Sequence, residues 1–219
     1  GYDYPFHNLV SIFKKDDMTL LNLECVLKAD SSGEDKEKLY RFRGLPEYTE
    51  VLWRAGVDQV NIANNHVIDY GTKGREATLA ALWAANIPSS GYGQLYIWEK
   101  NGHRIGFGGC RETIWRQDTS IIRREVEQLR QLGCEVVIYT CHWGTEYSPA
   151  HDSELQKAMA QSAIDAGVDI VVGGHPHVVQ GIEYRNGTLI LYSLGNLMFG
   201  GTHDMTTFDA MLAQVRLRF

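Results

Sequence analysis

Apolar runs of strand length alternate along this chain with amphipathic stretches of helix length. The runs predict strands over 19–22, 59–63, 104–108, 136–141, 170–172, 189–192 and 211–217. The amphipathic stretches predict helices over 46–55, 72–85, 120–132 and 153–166, and Asn or Gly follows each of the last three where a helix would stop. Such alternation is the pattern of α/β layering around a largely parallel sheet. The stretch 28–38, rich in Lys, Asp, Glu and Ser, reads as a solvated loop without chemistry. No internal repeat and no Pro/Gly/Ser-rich linker interrupts the pattern, so the expectation is one domain over 1–219.

Four of the apolar runs end in polar clusters. Gly173-Gly174-His175-Pro176-His177 follows the run that ends at Val172; His142-Trp143-Gly144 follows Cys141; Asn64-Asn65-His66 follows Ala63; and Asn22-Leu23-Glu24 follows Leu21. In open α/β sheets the carboxyl ends of the strands form the ligand-binding edge, so segments distant in sequence are expected to converge there. Imidazoles, a carboxylate and an amide oxygen together suit a divalent first-row ion, and Mn, Fe or Zn fit such a donor set. Pro176, with its fixed φ, holds His175 and His177 in a defined relation, and neighbouring histidines can serve two ions about 3.5 to 4 Å apart.

Each cluster also has a plainer reading. Glu24 either bridges two cations or is an ordinary strand-end carboxylate. Asn65 can lend a neutral oxygen to an ion while His66 beside it handles a proton and Asp69 orients that imidazole. Whichever of Asn64 and Asn65 is not a ligand then serves as a backbone cap. His142 becomes a ligand by association with the others. Ser193-Leu194-Gly195-Asn196 is either a plain turn or a segment that orders the metal loops. His7, His103, His151 and His203 lack a comparable setting, and His103, next to the turn residues Asn101-Gly102, is expected on the surface.

Charge and cysteine usage narrow the function. A net charge of −6 with no basic run leaves no electrostatic reason for a nucleic-acid partner. Cys25, Cys110, Cys134 and Cys141 lack a C-x-x-C pairing and read as small buried thiols. The chain contains no G-x-x-x-x-G-K-[ST], no strand-linked G-x-G-x-x-G and no G-x-S-x-G, so nucleotide-cradling and serine-hydrolase chemistry lack their parts. A metal-activated water is the nucleophile that remains.

Asn22-Leu23-Glu24, Ala63-Asn64-Asn65-His66 with Asp69 and Gly71, His142-Trp143-Gly144-Thr145-Glu146, Gly174-His175-Pro176-His177-Val178 with Gln180-Gly181, and Tyr192-Ser193-Leu194-Gly195-Asn196 occur in that order. This series resembles the bacterial capsule-synthesis family linked to poly-γ-glutamate, a branch of the calcineurin-like metallophosphoesterases. The resemblance implies a four-layer αββα sandwich with one or two divalent ions on one edge. By motif, Glu24 would be the bridging carboxylate; Asn65, His142 and His175 would hold one ion; His177 would hold the other; and His66, with Asp69, would be catalytic. The family's opening Gly-Asp strand motif would lie upstream of Tyr2-Asp3-Tyr4-Pro5-Phe6, so the first strand is expected to be missing from this chain. The implied substrate is a phosphoester or an anionic γ-glutamyl polymer. The implied partners are membrane-bound capsule synthesis proteins, at the cell surface or membrane through an upstream segment, with a cytoplasmic location or a non-catalytic assembly role as the alternatives.

Overall fold

The computed structural model describes residues 1–151, 153–200 and 207–219; His203 lies outside them. The chain divides into two compact units, residues 1–90 and 91–219.

The first unit contains α1 (Val10–Phe13), β1 (Leu20–Asn22), β2 (Val26–Leu27), β3 (Arg43–Gly44), α2 (Thr49–Ala55), β4 (Gln59–Asn61), α3 (Gly71–Ala84) and β5 (Ser89–Ser90). A short 3-10 turn, Pro46–Tyr48, leads into α2, and Gly56 ends that helix with a φ of 86°. Glycine adopts this left-handed conformation without a side-chain clash. Strands β1, β4 and β5 form a parallel sheet in that order, with Leu20 opposite Gln59 and Asn22 opposite Asn61. β2 and β3 form a separate parallel pair. β2 lies on α3, where the Leu27 amide donates to Thr78 Oγ1 at 2.9 Å. A Cβ on Gly74 would meet the Val26 side chain at 3.3 Å, so the missing side chain permits this close approach.

The second unit contains β6 (Tyr96–Lys100), β7 (His103–Arg111), α4 (Glu112–Gln117), α5 (Ile121–Gln131), β8 (Val136–His142), α6 (Glu154–Ala166), β9 (Ile170–Gly174), β10 (Ile182–Arg185) and β11 (Thr188–Leu191). They build a mixed sheet in the order β10-β11-β9-β8-β7-β6, whose four central strands run parallel. β6 and β7 form a hairpin through Asn101 and Gly102, both at positive φ, the conformation a two-residue hairpin turn requires. Ile122, Val126 and Leu129 of α5 and Met159, Ala160 and Ala163 of α6 recur at helical spacing. They bury one stripe against Val137, Tyr139, Cys141 and Val171 of the sheet. Ser153 caps α6 by accepting from the Gln156 amide at 3.2 Å, and Gly167 closes it with a φ of 82°.

The four expected helices and six of the seven expected strands are present, each within a few residues. The seventh, 211–217, is not a strand: it makes a bridge from Ala210 to Gly195 and a bond from the Met211 amide to Leu194 O. Met211, Ala213 and Leu217 are half-buried while Leu212 and Val215 are exposed, so its apolar positions are only partly covered, and no strand ladder is assigned there. The three buried thiols, Cys110, Cys134 and Cys141, and the half-buried Cys25 are all free.

Candidate functional site

In the first unit the chemistry collects at the carboxyl ends of β1 and β4. The parallel register brings Asn22 beside Asn61, and the Leu23 amide continues the ladder to Asn61 O. Asn64 then ties the two strand ends together: its Nδ2 donates to Asn22 Oδ1 at 3.0 Å and to Leu23 O at 2.9 Å, while its Oδ1 accepts from the His66 amide at 3.1 Å. Asn64 is therefore the structural amide of the pair. Asn22 Nδ2 donates to Glu24 Oε2 at 2.8 Å, which orients that carboxylate just past the strand.

His66 is buried, with 6 % of its surface exposed. Its Nδ1 donates to Asp69 Oδ2 at 2.6 Å, and Phe42 packs on the ring at a centroid distance of 4.3 Å. The imidazole is thereby fixed in position, and with Nδ1 carrying the proton, Nε2 is left for chemistry. Asp69 also accepts from the Phe42 amide at 2.8 Å and from Lys38. Burial by itself would push the Asp69 carboxyl up. The bonds from His66, Lys38 and Phe42 outweigh burial and hold it below the usual carboxylate range. Lys38 donates in addition to Asn65 O. The loop 28–38 thus ends in a working residue, contrary to its reading as solvated and inert: a fully buried carboxylate needs cationic or N–H partners, and Lys38 supplies one.

In the second unit, His142 ends β8, and His175 and His177 follow β9. The rings of His142 and His175 lie 4.7 Å apart by centroid, and those of His175 and His177 lie 6.0 Å apart. The Trp143 amide bonds Gly174 O at 3.1 Å, which extends the β8–β9 ladder beyond His142. His175 and His177 both adopt positive φ, 98° and 58°, on either side of Pro176. His177 Nδ1 donates to Asn196 Oδ1 at 2.8 Å, which leaves Nε2 as the ring nitrogen that could serve as a ligand. The 193–196 segment therefore orders a histidine of the turn.

Sequence reasoning passed over Glu146. A carboxylate oxygen of Glu146 and one ring nitrogen each of His175 and His177 lie within 4.8 Å of one another, a set suited to a cation. The only sequence signal was its place in His142-Trp143-Gly144-Thr145-Glu146. Its loop is latched from below. Gln180 Nε2 donates to Ser148 O at 2.8 Å and Ala150 O at 2.9 Å, and Gln180 Oε1 accepts from the buried Gln156 at 2.9 Å. The Tyr147 amide bonds Pro176 O at 2.7 Å. His151 stacks on Tyr192 at 4.2 Å and lies where a Cβ on Gly181 would meet its ring at 2.4 Å, so a side chain at Gly181 would displace the His151 ring. His103 is half-buried rather than free on the surface: it pairs with Glu135 at 3.0 Å and stacks on Phe219 at 3.9 Å.

Comparison with known proteins agrees with this arrangement of motifs. The family model described as "Bacterial capsule synthesis protein PGA_cap" matches residues 1–201. The chain is 31% identical to the capsule biosynthesis protein CapA of Bacillus anthracis, over all of this chain and 59% of that protein. It is 30% identical to the PGA biosynthesis protein CapA of Bacillus subtilis, over all of this chain and 62% of that protein. The chain thus spans about three-fifths of the length of these relatives. Among solved structures, a hypothetical protein from Thermus thermophilus is similar with a TM-score of 0.59 at 20% identity, over 93% of this chain and 74% of that one. The calcineurin-like phosphoesterase YfkN from Bacillus subtilis is similar with a TM-score of 0.52 at 18% identity, over 81% of this chain and 63% of that one. The α/β fold with its parallel and mixed sheets is thus of metallophosphoesterase type, and the chain belongs to the bacterial capsule synthesis protein PGA_cap family.

Proposed function

We propose that this chain is a metal-dependent hydrolase of capsule or poly-γ-glutamate metabolism, acting on a phosphoester or on the γ-linked amide of an anionic polymer. In this reading the chain has a fold of the four-layer αββα type. Glu24, Asn65, His142, His175 and His177 are the ligands of one or two divalent ions, Mn, Fe or Zn by donor type. The observation that carries the reading is the turn after β9, where His175 and His177 meet Glu146 and Asn196 fixes the His177 tautomer. Nitrogen and carboxylate donors in such a set fit a first-row divalent ion.

A bound ion would supply a water of lowered pKa and stabilise the oxyanion that develops. The remaining work falls to the chain. Asp69 holds the proton of His66 on Nδ1, and His66 Nε2 exchanges a proton with the leaving oxygen or nitrogen. Lys38 keeps Asp69 ionised, so the imidazole stays oriented. Membrane-bound capsule synthesis proteins at the cell surface are the partners this role calls for. No helix among the described residues is long and apolar enough to cross a membrane.

The test pairs metal analysis with hydrolysis of an aryl phosphoester, an aryl phosphodiester and a γ-glutamyl oligomer. The wild type should bind divalent ions and turn over one of these substrates, and His175→Ala should lose metal and activity together. His66→Ala should keep its metal while losing about 10² to 10⁴ in rate. A wild type that holds metal but hydrolyses none of the substrates would move the assignment to a non-catalytic subunit of a capsule assembly.

A further inference from the structure

The parallel register of the second sheet sets Arg111, His142 and Gly174 side by side across β7, β8 and β9. Residues paired in a parallel ladder project to the same face, and successive residues alternate. Cys110 and Cys141, one position earlier, belong to the core packed under α5 and α6, so Arg111 and His142 project from the opposite face. The third member of the row has no side chain, and a Cβ on Gly174 would meet only His142 Nδ1, at 3.9 Å. The row therefore reads guanidinium, imidazole, open space, all at the carboxyl ends of the strands.

Arg111 is half-buried, and its Nε is fully buried without a hydrogen-bond partner among the described residues. Its setting differs from that of Arg104, Arg124 and Arg130 in the same unit, each of which is bonded to a carboxylate. The adjacent carboxylate does not serve Arg111: Glu112 Oε2 accepts from the Gly144 amide at 3.0 Å, which fastens the start of α4 to the loop after His142. A buried cationic donor without an acceptor is costly, and a guanidinium presents Nε and Nη as a fork that matches the paired oxygens of a carboxylate or phosphate.

We propose that Arg111 is a substrate-binding residue that grips an oxyanion of the substrate beside His142. The ligand chemistry is a phosphate or carboxylate group, held by two parallel N–H donors. This inference rests on the hydrolase reading for what the oxyanion belongs to, and on the Arg111 geometry alone for its existence. On this assignment β7 contributes a recognition group to an edge where β8 and the turn after β9 carry the proposed metal ligands.

Inorganic phosphate and a γ-linked glutamate oligomer, titrated separately into the metal-supplied full chain by calorimetry, test the assignment and distinguish the two sources. The probe that belongs to the site should bind the wild type, and Arg111→Met should weaken it about tenfold to a hundredfold. Arg111→Lys, which keeps the charge but loses the fork, should fall between them. Phenylglyoxal labelling of Arg111 in the wild type, read by peptide mass spectrometry, should be slowed by the same probe; this arm does not depend on any variant folding. Equal affinity in wild type and Arg111→Met, or labelling that neither probe slows, would overturn the proposal even if metal binding and hydrolysis were present. An Arg111-dependent anion affinity in a chain that binds no metal would uphold the clamp and remove the hydrolase reading.

Discussion

Gly173 and Gly174 are neighbours on one strand, yet a methyl group should have opposite consequences at the two positions. A Cβ on Gly173 would lie 2.1 Å from Tyr192 O, 2.7 Å from Tyr192 C and 2.6 Å from Trp143 Nε1. Two of these are backbone atoms of the segment that leaves β11, so no rotamer change can relieve the clash. Forcing a methyl into packed space costs about 1–3 kcal/mol. The clash also opens the bond from Trp143 Nε1 to Tyr192 O, now 2.9 Å, and Trp143 is fully buried. Leaving that N–H without a partner adds about 1–3 kcal/mol. Gly173→Ala should therefore lose about 2–6 kcal/mol, the sum of the two contributions. At Gly174 the nearest atom would be 3.9 Å away, an ordinary contact, and the backbone there is not left-handed. Gly174→Ala should be neutral or gain up to about 1 kcal/mol from the reduced freedom of the unfolded chain. Urea unfolding followed by far-UV circular dichroism, with the slope compared between variants, measures both. A loss of less than about 1 kcal/mol in Gly173→Ala, below the range for a forced methyl, or equal losses in the two variants, would refute the packing argument.

Further outcomes follow from the polar networks. Gln180→Leu removes the latch under the Glu146 loop and should cost about 1–3 kcal/mol; hydrogen exchange should quicken at 145–150 and remain unchanged in α5, and unchanged exchange in the loop would rule the latch out. The depressed Asp69 carboxyl contributes stability that is present above its unfolded value of 3.8 and is lost as pH falls through the lower folded value. Asp69→Asn should accordingly flatten the acid limb of the stability profile, and an unaltered acid limb would assign the acid sensitivity elsewhere. Lys38→Met should destabilise the first unit by about 1–3 kcal/mol by removing a donor from a buried carboxylate; a loss inside a few tenths would mean that solvent replaces the ammonium.

The parts of this molecule visible in its sequence were those with a long period or a sharp ending. Val136–His142 and Ile170–Gly174 are continuous apolar runs that stop at polar clusters, and α5 repeats Ile122, Val126 and Leu129 at helical spacing. β2 and β3 have two residues each and hence no period to detect. Lys38 looked like any lysine of a charged loop, because its partner Asp69 is 31 positions away and becomes a neighbour only on folding. Asn196 oriented His177 by the same kind of long-range encounter, and Arg111 took its meaning from register, which no local pattern reveals. The stretch 211–217 misled because apolar alternation shows what can be half-buried and not whether a neighbouring strand is there to pair with it.

The backbone at His175 and His177 bears on how this protein balances stability against use. Residues other than glycine held at such φ values cost on the order of 1–3 kcal/mol each, and here both carry imidazoles. His177→Gly should consequently make the metal-free chain more stable while removing a proposed ligand, a gain and a loss that thermal melting with and without added ion would separate. An ion held at about a hundred times its dissociation constant returns about 2.7 kcal/mol, comparable to the strain of one such residue. On the proposed function, the turn after β9 would then behave like a cocked spring whose tension a bound cation offsets.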